Sequence, residues 1–198
     1  MFVRIFFIFL GFFIPAFIFW KKLKDDYLEE NLFSSIFYIF TGISAGFLLS
    51  RLVLPEFWFW LTLIGSVSGL AVSLHRFKFN FYEILDGYTF SQLSIILLIF
   101  FYDFLENMKL SSGGGFFLIV LFFGLFLFLD KRYKSYTWYK SGKVGFTGLV
   151  VIGLFFLTRA GVAVTFPDML SLVGRNDAII SGVVAFAAYL MLFNLSKE

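Results

Sequence analysis

Seven long apolar runs separated by short polar clusters set the pattern of this chain. They cover residues 2–20, 32–54, 57–74, 84–105, 114–129, 144–164 and 178–193. An α-helix rises about 1.5 Å per residue, so roughly 20 apolar residues cross the ~30 Å of hydrocarbon in a bilayer. Each run comes near that length. Stretches such as FFLIVLFFGLFLFL do not alternate between apolar and polar positions, as the strands of a membrane barrel would. A helix also satisfies its own backbone hydrogen bonds, which lipid cannot do for it. The pattern therefore predicts an all-α fold, a polytopic membrane bundle of about seven transmembrane helices. It forms one domain over 1–198, with no soluble segment long enough to fold alone.

Composition sharpens this. Of 198 residues 60% are hydrophobic, 33 are Phe and only 15% are charged, and the mean hydropathy is +0.91. A soluble domain needs more polar surface than that. The formal net charge of +3 does not point to nucleic acid, because the basic residues fall in clusters between apolar runs rather than on one face of a domain. With no cysteine and a single histidine, disulfides, thiolate metal sites, a cysteine nucleophile and a His-rich metal site are all excluded. No metal or other cofactor is implied.

The basic clusters also predict orientation. Lys21, Lys22 and Lys24 follow the first run, and Arg76 and Lys78 the third. Lys131, Arg132, Lys134, Lys140 and Lys143 follow the fifth, and Lys197 the seventh. With seven helices these eleven of the sixteen Lys and Arg share one side. Positive residues favour the cytoplasm, so the N-terminus is expected outside and the C-terminus inside. The first run has Arg4 ahead of it but no small-x-small site after it, so it is expected to be retained as a helix rather than cleaved.

Charges within apolar runs are the best lead to chemistry, since each costs on the order of 3 kcal/mol at the bilayer centre. Arg159 lies two-thirds along the sixth run and Arg51 near the outer end of the second. Each can snorkel to lipid phosphates as an anchor. Alternatively the two converge on an anionic headgroup, which a guanidinium grips with parallel hydrogen bonds. Asp103 and Glu106, at the outer end of the fourth run, are candidates for a general base, for counter-ions to the arginines, or simply for interfacial carboxylates. Asp86 reads as a helix cap at the inner start of that run, and His75 as an interfacial residue. Gly42-x-x-x-Gly46 and Gly65-x-x-x-Gly69 are spaced for close helix packing. Gly113-Gly114-Gly115 lacks the Lys-Ser/Thr of a phosphate-binding loop and reads as a flexible connection.

The order of these features resembles the prolipoprotein diacylglyceryl transferase family. The first run followed by KKLKDDYLEENLFSSIFYIFTGISAGFLLSRLVL resembles that family's first two helices, with Arg51 at its Gly-x-Arg-type position. LIGSVSGLAVSLHRFKFNFYEILD resembles its glycine-rich third helix, basic turn and the Asp opening the fourth, and KSGKVGFTGLVVIGLFFLTRAGV its sixth helix, with Arg159 at the functional arginine. The chain is a diverged member of the pattern. Ile64-Gly65-Ser66 stands where the family has His-Gly-Gly, and Ile99 to Phe104 where it has Gly-Arg-x-Gly-Asn-Phe, so that Phe100 replaces the arginine and Asp103 the asparagine. The outer head is shortened to about 106–114.

The resemblance implies a bacterial inner-membrane enzyme that moves a diacylglyceryl group from phosphatidylglycerol to a lipobox cysteine in a prolipoprotein signal segment. Arg159 and Arg51 would hold the leaving phosphate, and Asp103 or Glu106 would replace the missing histidine as base, giving Arg159, Asp103 and Glu106 catalytic roles. The alternative is an inactive relative that binds anionic lipid or a membrane partner. A small transporter ranks third, because the fifth and seventh runs offer almost no polar residues to line a path. A retinal protein would need a lysine in the seventh run, which has none.

Overall fold

The structure, a computed structural model, describes residues 2–136, 139, 143–166 and 172–197, with Phe2 described by its backbone alone. Lys140, one of the basic residues counted above, lies outside them. Among the described residues there are seven long helices and no strand. These are α1 (Phe2–Leu23), α2 (Glu29–Val53), α3 (Trp58–Phe77), α4 (Phe81–Asn107), α5 (Leu110–Arg132), α6 (Phe146–Thr165) and α7 (Gly174–Lys197). All seven are long and apolar enough to cross a membrane. The chain is a multi-pass membrane protein. Its outer surface agrees, for Phe6, Phe9, Phe13 and Phe17 form an exposed stripe along α1. Water would penalise such a stripe, whereas lipid does not.

α4 is the centre of the bundle, packing on α1, α5 and α6. Its Phe90 stacks on Phe126 of α5 at 4.5 Å between ring centroids, and its Ser91 hydroxyl donates to the Pro15 carbonyl of α1 at 3.0 Å. α3 behaves differently. It packs closely on α2 alone, and glycine is the reason. A Cβ built on Gly65 would stand 2.1 Å from the carbonyl oxygen of Gly42, and one on Gly46 would stand 2.2 Å from that of Leu61. The two expected small-residue pairs therefore face each other, and the backbones touch without side chains between them.

One end of the bundle is tied by polar contacts. Lys22 bridges both carboxylate oxygens of Asp130 at 2.6 Å. Tyr27, in the turn between α1 and α2, donates to Glu83 and accepts from the Asn80 backbone N–H. Burial and then the Glu83 hydrogen bond push the Tyr27 hydroxyl up to about 12. It therefore remains a donor below its ordinary pKa, and this support is lost only as the pH rises through about 12.

Asp86 is a cap, but not of its own helix. Asn80 caps α4, its side chain accepting from the Tyr82 N–H. Asp86 lies in the second turn, 1% exposed, and accepts from the N–H groups of Gly145 at 3.1 Å and Gly148 at 2.6 Å. It caps the N-terminus of α6 from across the bundle.

The triple glycine differs from expectation too. Gly113 to Gly115 lie inside α5, and only Met108 and Lys109 separate α4 from α5. In an apolar setting the backbone has no other hydrogen-bond partner, so the helix persists despite glycine's low propensity. The connection between α4 and α5 is thus shorter than the 106–114 read from the pattern.

Two outcomes follow for stability in detergent. Gly65→Ala is expected to separate α2 from α3 at a cost of about 1–3 kcal/mol. Gly11→Ala, where a Cβ meets nothing within 4 Å, is expected to be neutral in the same melt. Asp86→Ala is expected to lose about 2 kcal/mol by uncapping α6, with Asp86→Asn losing less because one acceptor oxygen remains. Equal melting of Asp86→Ala and the parent would refute the cap.

Candidate functional site

Arg159 stands on α6 about four turns from its start, and burial leaves it 8% exposed. A lone guanidinium at that depth would be costly. The fold answers with Asp177, in the first turn of α7, which is fully buried. Arg159 Nε donates to Asp177 Oδ1 at 3.0 Å and Nη2 donates to Oδ2 at 2.7 Å. This is the parallel, two-bond geometry at which arginine excels. Asp177 accepts further from the Ser181 hydroxyl and from the Val173 backbone N–H, each at 3.1 Å. The second of these satisfies a donor at the start of α7, and a carboxylate there also faces the positive end of the helix.

The guanidinium lies flat against α3. Its carbon is 3.7 Å from the centroid of Phe59 and 5.6 Å from that of Trp60. Such contacts are strongest where water is excluded. Trp60 in turn stacks on Phe156 of α6 at 5.7 Å. One side chain thus joins α3, α6 and α7.

Two cavities adjoin this cluster. A small one of about 60 Å³ is lined by Arg159, Thr158, Phe100 and Leu172 among others. A larger one of about 270 Å³ runs between α3, α4, α6 and α7. They share Trp58, Phe59, Ile96, Ile99 and Phe155 in their walls. The larger cavity is bounded from Trp58 to Leu70 along α3 and from Phe81 to Ile99 along α4, so it is elongated along the bundle. Its size is just below the ~300 Å³ at which small-molecule sites begin. Its wall is almost wholly apolar, with Thr62, Tyr88, Thr89 and Gln92 as the polar members.

The other candidate residues lie elsewhere. Arg51 is exposed at the end of α2, its guanidinium 5.1 Å from the ring of Phe47 on its own helix, and it lines neither cavity. Asp103 accepts from the Ser112 hydroxyl and from Asn107 at 2.7 Å, which ties the end of α4 to α5. Glu106 is a counter-ion to an arginine, but to Arg4 at 2.6 Å, and Arg4 also donates to Tyr102 at 3.0 Å. His75 lies in the last turn of α3. Asp177 is the functional residue that pattern reading missed, since the seventh apolar run opens one residue after it. The available signal was an acid in the first turn of a membrane helix directly after a run holding a buried arginine.

Comparison with known proteins finds no match among family models, curated proteins or solved structures.

The pair makes a measurable prediction. Removing Asp177 alone takes two parallel hydrogen bonds and an opposite charge from a buried cation, so Asp177→Leu is expected to cost about 3–5 kcal/mol. Adding Arg159→Met should restore part of that loss, because the double variant buries neither charge of this pair. Thermal unfolding of the four proteins gives the coupling, and a single variant as stable as the parent would contradict it.

Proposed function

We propose that this protein binds a glycerophospholipid in the cleft between α3 and the rest of the bundle. The acyl portion occupies the 270 Å³ cavity and the headgroup approaches the Arg159–Asp177 pair. The observation that carries this reading is an elongated apolar cavity whose wall residue Phe59 stacks on a buried guanidinium, which itself lines the adjoining small cavity. Apolar lining with a few convergent polar groups is the ordinary form of a ligand site. In this reading the chain is a diverged relative of the diacylglyceryl transferases in a bacterial inner membrane. Its basic end lies in the cytoplasm and its N-terminus outside, and phosphatidylglycerol is the first lipid to try.

Transfer of the diacylglyceryl group to a lipobox cysteine is the second reading. One observation favours it: Arg159, at the position of the family's functional arginine, lines a cavity. The chemistry demands more. A leaving phosphate needs uncompensated positive charge, and the attacking thiol needs a base. Asp177 already neutralises Arg159. Asp103 and Glu106 are engaged by Ser112 and Arg4, and Arg51 contributes nothing to the cavity walls. These contacts support binding over transfer.

The test is reconstitution in phosphatidylglycerol vesicles with a lipobox-cysteine peptide, read by mass spectrometry. The expected result is phosphatidylglycerol retained through purification and no diacylglyceryl mass gain on the peptide. A gain that vanishes in Arg159→Ala would establish the transferase instead. Protein free of lipid would overturn the binding reading, and the absence of any mass gain would overturn transfer.

A further inference from the structure

We infer that the larger cavity recognises a carbonyl oxygen of its ligand, the acyl-ester carbonyl of a lipid, through Gln92 and Thr62. The inference rests on the lipid-binding reading above and adds the group that is read.

Tyr88 and Gln92 are one turn apart on α4, and Thr62 and Ser66 one turn apart on α3, so each pair shares a helix face. The Tyr88 hydroxyl donates to Ser66 Oγ at 2.9 Å, and Gln92 Nε2 donates to the same oxygen at 3.1 Å. Ser66 and Tyr88 are buried, and Thr62, Tyr88 and Gln92 line the cavity. Thr62 Oγ1 is buried with no hydrogen-bond partner among the described residues. Thr89, the remaining polar wall residue, is committed, its hydroxyl donating to the Leu85 carbonyl at 2.7 Å.

The proton count shows what is left over. A glutamine amide carries two N–H donors and a hydroxyl carries one. Gln92 uses one N–H on Ser66, leaving the other N–H and, in this orientation only, the amide oxygen. If the amide is turned over, Ser66 donates to its oxygen instead, and both N–H groups are left. In either orientation the cavity retains at least one amide N–H, and Thr62 adds a hydroxyl. The common surplus is in donors, so the fitting ligand atom is an acceptor. An ester carbonyl accepts without donating.

The level is also right. Thr62 is three residues beyond Phe59, on which Arg159 stacks, or about 4.5 Å along the helix. Ser66 is about 10 Å beyond it on the same measure. Ester carbonyls lie between the phosphate and the acyl chains of a glycerophospholipid. They would meet these donors with the headgroup at Arg159 and the chains deeper in the cavity.

The experiment offers the full-length protein equal amounts of diester and diether phosphatidylglycerol of matched chain length and reads bound lipid by native mass spectrometry. The ether lipid keeps the headgroup and chains and lacks only the carbonyls. The expected result is roughly tenfold preference for the diester, the scale of a buried donor left unpaired. Gln92→Leu and Thr62→Val should each bring the ratio toward one while lipid is still retained. Equal retention by the unmodified protein would overturn the inference and leave the lipid-binding reading standing. Retention of neither lipid would overturn that reading as well. A third arm offers a long-chain quinone, which also carries carbonyls, and its displacement of the diester would overturn the ester assignment.

Discussion

Burial of the Arg159 guanidinium against Asp177 organises one half of this bundle. A charge that deep in an apolar protein needs an opposite charge with matched geometry. The two parallel bonds of 3.0 and 2.7 Å meet that need. They also dictate where α7 begins, because Asp177 reaches Arg159 only from the first turn of a helix packed against α6. Phe59 and Trp60 complete the enclosure from α3. The opposite end follows the same rule with other residues. Asp86 is buried but faces the open N–H groups of α6, and Lys22 is held by Asp130.

The cleft follows from where close packing is spent. Glycines let α2 and α3 touch backbone to backbone, so those two helices form a close-packed pair. α4 takes α1, α5 and α6 as neighbours. Between the two groups stand bulky side chains, among them Trp58, Phe59, Phe155 and Phe156, whose rings hold α3 away from α4 and leave the elongated cavity. A phenylalanine-rich sequence makes this possible. Rings fill a wide gap with little conformational freedom to lose, whereas smaller side chains would let the helices close.

Seven helices were legible because the length and continuity of apolar runs report directly on what a bilayer demands. Helix contacts were legible where glycine carried them, at Gly42, Gly46, Gly65 and Gly69. The site was legible only in half. Arg159 stood out as a charge within an apolar run, but its partner stood just outside the next run, among polar residues where an acid attracts no notice. Asp86 shows the same limit. A capping role could be read from its chemistry, but the helix it caps begins 60 residues later and is brought to it only by folding. The triple glycine misled because glycine's local preference loses to the need to satisfy backbone groups in lipid.

Pairing has a consequence for chemistry. A transferase of this type must keep an arginine in reserve for charge that develops as phosphate departs, since only interactions strengthened in the transition state accelerate the step. Here Asp177 already supplies the opposite charge, with two further donors holding it in place. Releasing the guanidinium for a substrate would strand that carboxylate in an apolar interior. The pair instead sits behind Phe59, a wall residue of the apolar cleft, as a fixed and buried polar contact. An arrangement that favours structure over reactivity at the arginine, with the candidate carboxylates Asp103 and Glu106 tied to other partners, is what an active phosphate-releasing site would have to undo.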